Sequence, residues 1–303
     1  MSRVAWISLS VSALALVAGI GVVALLSDSG NGTTRVVTDS TSTSPTRSFS
    51  LPLTDGSSAL ALGKHDGNVL VGLAAKQGGP VEVAVLRAES PLPTDELRFE
   101  LDGAKTEARS CGTGCSRIDA AVLDGTPSRM TVHAGTSSVA FALPARLPQS
   151  GEALFARALR TMDSLHAYRY LETLTSGQGG VVSTYEVQAP DRLSLRTQGF
   201  RSVIIGKRRW DYHDGAWERG SFPGLKVADV LMWSHATHAR VVGRRPNGVT
   251  ELAAFGLLPV PAWFRLAVAP TGRVVEAEMI APSHFMVHRY SDFNGRVAIK
   301  APK

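Results

Sequence analysis

Two histidines and a methionine near the carboxyl terminus have the types and spacing of metal ligands. His284, Met286 and His288 alternate along the chain, so on a β-strand their side chains would share one face of the sheet. Imidazole binds copper well, and a thioether suits the Cu(I) state. Same-face neighbours on one strand lie about 7 Å apart, so a single ion would need side chains that lean together or ligands from elsewhere.

We therefore treat His284, Met286 and His288 as a candidate copper site, with copper as the candidate cofactor. Residues that could complete it are His235, His238, Met232 and Met279. The alternative is that Met286 packs in a core while the two histidines bond the backbone or solvent.

The only two cysteines, Cys111 and Cys115, lie close together in the segment SCGTGCSR. In an oxidising compartment such a pair is typical of a disulfide that closes a small loop. Gly112 and Gly114 give the backbone the freedom that a tight turn needs. A redox pair or two soft metal ligands are the alternatives, but the spacing is not CxxC and no second Cys/His pair lies nearby. We predict the disulfide.

Large aromatic side chains are concentrated in the second half of the chain. A curved sheet lined by them could enclose a cavity for a lipid or another apolar ligand, and the alternative is an ordinary core. The candidate cavity residues are Trp210, Trp233, Trp263 and Phe264.

Neither catalysis nor nucleic-acid binding is indicated. The chain has no GxSxG, HExxH, Walker or GxGxxG motif and no SxxK with matching partners. The net charge of +6 is spread out, with its densest spots at 207–209 and 244–245, so a solvated surface explains it better than a basic face toward anionic lipid headgroups. Nothing in the sequence resembles a nucleic-acid module. We expect a protein that is not an enzyme and has no nucleic-acid partner.

The start of the chain predicts where the rest is located. Residues 4–26 contain no charge, and as a helix they would extend about 35 Å, enough to cross a bilayer. Arg3 and the amino terminus are the charges before this segment, which favours a cytoplasmic N-terminus. We predict a single-pass anchor in the cell membrane over 1–26 with an extracytoplasmic body. A cleaved signal peptide is the alternative and predicts the same compartment for the body.

Composition and periodicity divide the rest into a linker and two domains. Residues 27–50 are rich in Ser, Thr and Gly and predict a disordered linker. Short β-branched runs separated by turn signals over 51–147 predict an immunoglobulin-like β-sandwich. Over 150–303 we expect a helix capped by Ser150 and extending to His166, then about nine strands including a long one over 202–212. The fold class is mainly β, with an α+β second domain.

The second domain resembles the LolA/LppX-type lipoprotein carriers, in which an amphipathic helix precedes a long antiparallel sheet curled into a half-barrel. The wider pattern is similar to the extracytoplasmic C-terminal tails of actinobacterial CopC/CopD-like copper resistance membrane proteins. The residues that carry this second resemblance are Ile205-Gly206, Arg209-Trp210, Trp217, Pro261 to Phe264, His284 to Met286, His288 and Tyr290, together with the Cys111–Cys115 loop.

The copper-protein resemblance implies a non-catalytic accessory module of the cell envelope, beside a multi-span copper-transport membrane protein as partner. The chain lacks that protein's multi-span region and its copper-binding domain, so the resemblance does not imply transport by this chain alone. The carrier resemblance implies the alternative function, which is binding of a lipid or other apolar ligand in the half-barrel.

Overall fold

The computed structural model describes residues 59–177, 179–258 and 260–303, with only the backbone at residue 258. The predicted membrane segment over 1–26 and the predicted linker over 27–50 lie outside these residues. Within the described ranges, no helix is long and apolar enough to cross a membrane.

The first body consists of two packed antiparallel sheets. One sheet has the order β1-β2-β3-β8-β7, with β4 paired to β3, and the other has the order β10-β9-β5-β6. Their strands are β1 Ala59–Asp66, β2 Val69–Lys76, β3 Gly79–Arg87, β4 Ser90–Pro91, β5 Leu97–Leu101, β6 Ala104–Thr106, β7 Arg109–Gly112, β8 Cys115–Val122, β9 Ser128–Ala134 and β10 Ser137–Leu143. Leucines, valines and Phe141 from both sheets form the core between them.

The second body begins with helix α1, Glu152–Asp163, which buries Phe155, Ala158 and Met162 on one side. Gly151 is the N-cap residue instead of the predicted Ser150, whose hydroxyl oxygen accepts a hydrogen bond from the Glu152 N–H at 3.3 Å. The helix ends three residues before the predicted end at His166, because the chain must turn there to enter the next strand at Ala167.

Eleven antiparallel strands follow in a single sheet of order β16-β15-β14-β13-β12-β11-β21-β20-β19-β18-β17. They are β11 Ala167–Thr175, β12 Gly180–Gln188, β13 Arg192–Thr197, β14 Phe200–Ile205, β15 Arg208–His213, β16 Ala216–Ser221, β17 Thr237–Arg244, β18 Thr250–Leu258, β19 Val260–Val268, β20 Val274–Ala281 and β21 His284–Ser291. The prediction of a mainly β protein, with one helix followed by a long antiparallel sheet, is confirmed.

The predicted single strand over 202–212 is wrong, because the chain reverses at Gly206-Lys207 and forms the hairpin of β14 and β15. Gly206 adopts a φ of +57°, a left-handed conformation that glycine tolerates and that a strand interior does not contain. This turn is difficult to recognise from the sequence, because the β-branched and aromatic residues on each side of it are typical of a strand.

Residues 222–236 join the two edge strands of the sheet, β16 and β17. This segment, which we call the strap, lies with α1 against one face of the sheet, the concave face. Its regular structure is a single 3-10 turn at Val227–Val230. The strap connects β16 and β17, which share no backbone hydrogen bonds with each other.

The opposite, outer face of the sheet packs against the first body through a small apolar cluster. Phe255, Trp263, Ile280 and Phe285 of the sheet contact Ala61, Leu70, Ala84 and Leu86 of the first body. The Trp263 side chain lies directly on Gly63 and Gly72, where a Cβ atom would overlap it. The His65 ring stacks on Phe285 with 3.9 Å between ring centroids.

This contact gives a test of the joint between the two bodies. Gly72→Ala places a methyl group inside the volume of the Trp263 indole, and such overpacking costs about 1–3 kcal/mol. We expect the free energy of unfolding, measured with urea, to fall by that amount. Gly220→Ala is the control, since its Cβ would meet nothing within 4 Å. Equal stability of the two variants would contradict the close packing described here.

Candidate functional site on the concave face

Alternate side chains of the eleven strands face α1 and the strap and form the concave face. Strand pairing places these positions opposite one another from β14 to β18. They include Tyr168, Tyr170, Glu172, Ser183, Tyr185, Leu195, Ser202, Ile204, Phe264, Met279, Met286, His288 and Tyr290. From β14 to β18 the face is apolar and aromatic except for a few buried polar groups, and those groups define the candidate site. On β15 the Arg209–Asp211 ion pair lies on the same side, with Asp211 opposite Ser202.

Four of these residues, together with Trp233 of the strap, form a continuous hydrogen-bonded chain of five, which we call the polar chain. Trp233 Nε1 of the strap donates to the Tyr290 hydroxyl at 3.2 Å, and that hydroxyl lies 3.3 Å from Nδ1 of His288. His288 Nε2 lies 2.7 Å from Oε2 of Glu172, whose Oε1 accepts from the Tyr185 hydroxyl at 3.2 Å. Since Trp233 can only donate, the Tyr290 hydrogen is free to point to Nδ1, which leaves Nε2–H to donate to Glu172.

The polar chain is enclosed. The side chains of Glu172 and His288 are 4% and 3% exposed, and Tyr170 stacks on both His288 and Tyr185, with centroids 4.6 and 4.4 Å apart. A buried carboxylate is costly unless it is paired and hydrogen-bonded. Here His288 and Tyr185 supply that pairing.

Removing one member of the pair should therefore be costly. Glu172→Ala leaves His288 Nε2 and the Tyr185 hydroxyl buried without an acceptor, which we expect to lower the free energy of unfolding by about 3 kcal/mol. Glu186→Ala, which removes one of the two carboxylate partners of the partly exposed Arg169, should cost less than about 1 kcal/mol. Chemical denaturation of both variants measures the difference, and similar losses would argue against the buried pair.

Burial also governs the tyrosines of this face. Loss of hydration raises the pKa of Tyr168, Tyr170, Tyr185 and Tyr290, because the ionised phenolate is poorly solvated there. Nearby charged and ionisable groups, Glu172 among them, raise the pKa of Tyr170 and Tyr185 further.

These shifts predict alkaline unfolding. The unfolded chain ionises its phenols from about pH 10, while the folded protein keeps these four neutral. Stability should therefore be complete below about pH 10 and fall above it, by up to about 1.4 kcal/mol per pH unit for each tyrosine. Absorbance at 295 nm and circular dichroism should change together in a pH titration. Ionisation of the four tyrosines in a still-folded protein would contradict the prediction.

Two hydroxyls of the concave face have no partner within the described residues. Ser202 Oγ on β14 and the Tyr168 hydroxyl on β11 are both fully buried and make no hydrogen bond there. A buried polar group without a partner costs about 1–3 kcal/mol, so each one needs an explanation. A polar group of a bound molecule would satisfy either hydroxyl.

The predicted metal ligands lie on β21 but have separate environments. Met286 is buried in the apolar core, and His288 belongs to the polar chain. His284 is partly exposed, with Nδ1 3.0 Å from the Pro282 carbonyl oxygen. Across residues 59–177, 179–258 and 260–303, no group of three or more His, Cys, Asp or Glu side chains could hold a metal ion. The copper site stays a prediction.

The structure brings together only part of the predicted cavity set. Trp233 and Phe264 both belong to the core of the concave face. Trp263 is adjacent to Phe264 on β19, so its side chain faces the opposite way. It lies on the outer face, in the joint between the two bodies. Trp210 pairs with Val203, out of phase with Ser202 and Ile204, and thus also lies on the side away from the concave face.

The predicted disulfide between Cys111 and Cys115 is confirmed. It closes the turn between β7 and β8, far from the concave face. A shallow cleft of about 530 Å³ lies beside it, lined by Pro91, Pro93 and Thr94. A second cleft, of about 170 Å³, lies among paired charges that include Arg245, Glu251 and Arg265.

Sequence reasoning missed Glu172, Tyr185 and Ser202 as site residues. One signal for Glu172 was present. In YRYLETL the inward positions are Tyr168, Tyr170 and then Glu172, so a carboxylate follows two aromatics on the buried side of a strand. Such a group needs a partner, and His288 is the partner that the fold supplies.

The fold defines a class: a half-barrel formed by one curved antiparallel sheet, with a helix and a strap on its concave side, joined to a small β-sandwich. The solved structure of the lipoprotein LppX from Mycobacterium tuberculosis has 17% sequence identity and a TM-score of 0.38, over 50% of this chain and all of that one. LprF from Mycobacterium bovis has 11% identity and a TM-score of 0.36, over 52% of this chain and 99% of that one. No protein-family model and no curated protein matches the chain. Similarity this low does not bear on what the chain binds.

Proposed function

We propose that the protein is a non-catalytic binding protein for an amphipathic, lipid-like ligand, held on the concave face of the half-barrel beneath the strap. The observation that carries this proposal is the pair of buried hydroxyls without partners in the described chain, on Ser202 and Tyr168, in a face that is mainly apolar apart from the polar chain. A ligand with an apolar body and one hydrogen-bonding group is complementary to that surface.

The way the strap is held supports the same proposal. Its backbone bonds to the sheet near its start, where Phe222 and Leu225 donate to the carbonyls of Lys207 and Gly206. Further along, its backbone bonds are local turns within the strap. Its apolar side chains fill the concavity, with Val230, Leu231 and Trp233 almost completely buried. Hydrophobic burial without a strand ladder holds most of the strap in place.

Burial of this kind is exchangeable, since it is non-directional and follows the apolar area removed from water. Each large side chain of the strap contributes about 1.5–3 kcal/mol by its burial. A ligand of similar apolar area would recover that free energy when it replaced the strap against the sheet. The ligand site is thus formed as the strap moves, and the hydrogen bond from Trp233 to Tyr290 is the polar tie that must break.

A photoreactive fatty acid tests the site. With the full chain reconstituted in nanodiscs and irradiated, we expect mass spectrometry to find cross-links in the strap and in β12 to β14. Cross-links confined to the first body or to the outer face would contradict the proposal.

A variant pair tests the role of the strap. Tyr290→Phe removes the acceptor for Trp233, and the loss of a bond of about 1 kcal/mol should raise the open population, and the early cross-linking rate, about fivefold. Tyr212→Phe on β15, outside the polar chain, should leave the rate unchanged. If both variants cross-link at the wild-type rate, ligand entry does not require the strap to open.

A further inference from the structure

The hairpin turns of the eleven-stranded sheet lie at the two opposite ends of its strands, and the turns at one end differ sharply in charge from those at the other. Because the strands alternate in direction, the turns after β11, β13, β18 and β20 lie at one edge, which we call the neutral rim. The sequence segments that join these strands, 175–180, 197–200, 257–260 and 281–284, contain no Asp, Glu, Lys or Arg. The start of β17, after the uncharged stretch 231–236, lies at the same edge.

The turns at the other ends of the strands all carry charged side chains. Asp191, Lys207, Arg245, Arg273 and Asp292 each lie in one of the turns or strand ends there. The neutral rim has one exception, the turn 213–216 between β15 and β16, which carries Asp214. In the strand order of the sheet, this turn lies at the opposite side from β18.

The hairpin of β18 and β19 is the most apolar part of the neutral rim. Residues 252–264 contain no charged side chain. Leu257 is 59% exposed and Val260 is 38% exposed, and both are among the large hydrophobic residues left uncovered in the described chain. Strand alternation directs Leu257 to the outer side and Val260 to the concave side, so the tip is apolar on both faces. Packing against either face of its own sheet therefore does not account for it.

We propose that the neutral rim, led by Leu257 and Val260 of the β18–β19 hairpin, is a membrane-contact surface that inserts into the interfacial region of a lipid bilayer. Bringing charged side chains to a bilayer is costly and bringing apolar ones there is favourable. The turns of the rim are uncharged over most of its length, and Leu257 and Val260 supply its exposed apolar side chains. Arg196 and Arg201, cross-strand partners that flank the turn 197–200, are exposed where they can meet anionic headgroups.

A bilayer is the partner that the chain itself indicates. The sequence predicts a membrane segment over 4–26, about thirty residues before the first strand. A Ser/Thr/Gly-rich chain of that length has a root-mean-square end-to-end distance of about 30 Å, which is comparable to the height of the sheet. The rim is thus held within reach of the surface. This inference does not depend on the ligand proposed above.

Site-specific fluorescence tests the contact. The two cysteines of the chain are paired with each other, so Leu257→Cys provides a single reactive thiol for an environment-sensitive dye. Thr271→Cys, exposed in the turn between β19 and β20 at the charged edge, is the matched control. The full chain is reconstituted in phosphatidylcholine–phosphatidylglycerol vesicles, and its fold is checked by circular dichroism.

Nitroxide-labelled lipid should quench the dye at 257 and leave the dye at 271 near its unquenched intensity, while aqueous iodide should show the reverse order. Val260→Cys provides the same comparison should the first variant fold poorly. Equal quenching of the rim and control positions by the lipid nitroxide would overturn the proposal. Cross-linking of a fatty acid on the concave face is a separate readout, so either proposal can fail without the other.

Discussion

An open sheet that carries apolar side chains on both faces must have both faces covered, and this constraint organises the whole chain. The eleven strands direct Phe264, Met279 and Met286 to one side and Phe255, Trp263 and Phe285 to the other. Helix α1 and the strap cover the first side. The β-sandwich covers part of the second, so it is a structural component of the half-barrel as well as a body with its own core.

The joint between the two bodies depends on the absence of side chains as much as on their presence. Gly63 and Gly72 lie on neighbouring strands of the sandwich and pair with each other in register, so together they leave a flat strip. Trp263 fills that strip, and His65 stacks beside it on Phe285. Because the contact is apolar and closely packed, the two bodies should move together, unlike domains that share a small polar interface.

Local patterns predicted the class of the fold well, since alternation, turn residues and helical spacing act over a few positions. The sequence of one helix and then many antiparallel strands was visible for this reason, and so was the Cys111–Cys115 disulfide. The hairpin at Gly206-Lys207 was not, because strong strand formers surround it on both sides.

The candidate site was predicted only in part, since it depends on pairings distant in sequence. His288 was singled out as a metal ligand, but its contact is Glu172, on a strand more than a hundred residues earlier. Trp263 and Phe264 were assigned to one cavity, yet adjacent residues on a strand face opposite ways. Only strand register tells which of the two faces the concave side.

The strap has a consequence for how the curvature of the half-barrel is fixed. A closed barrel has a radius fixed by its strand number and shear, since hydrogen bonds join every strand to the next. Here β16 and β17 are joined by a covalent connection and by side-chain packing, with no ladder between them. On the function proposed above, a change in the curvature of the sheet that admits ligands of different girth would break no backbone hydrogen bond between β16 and β17.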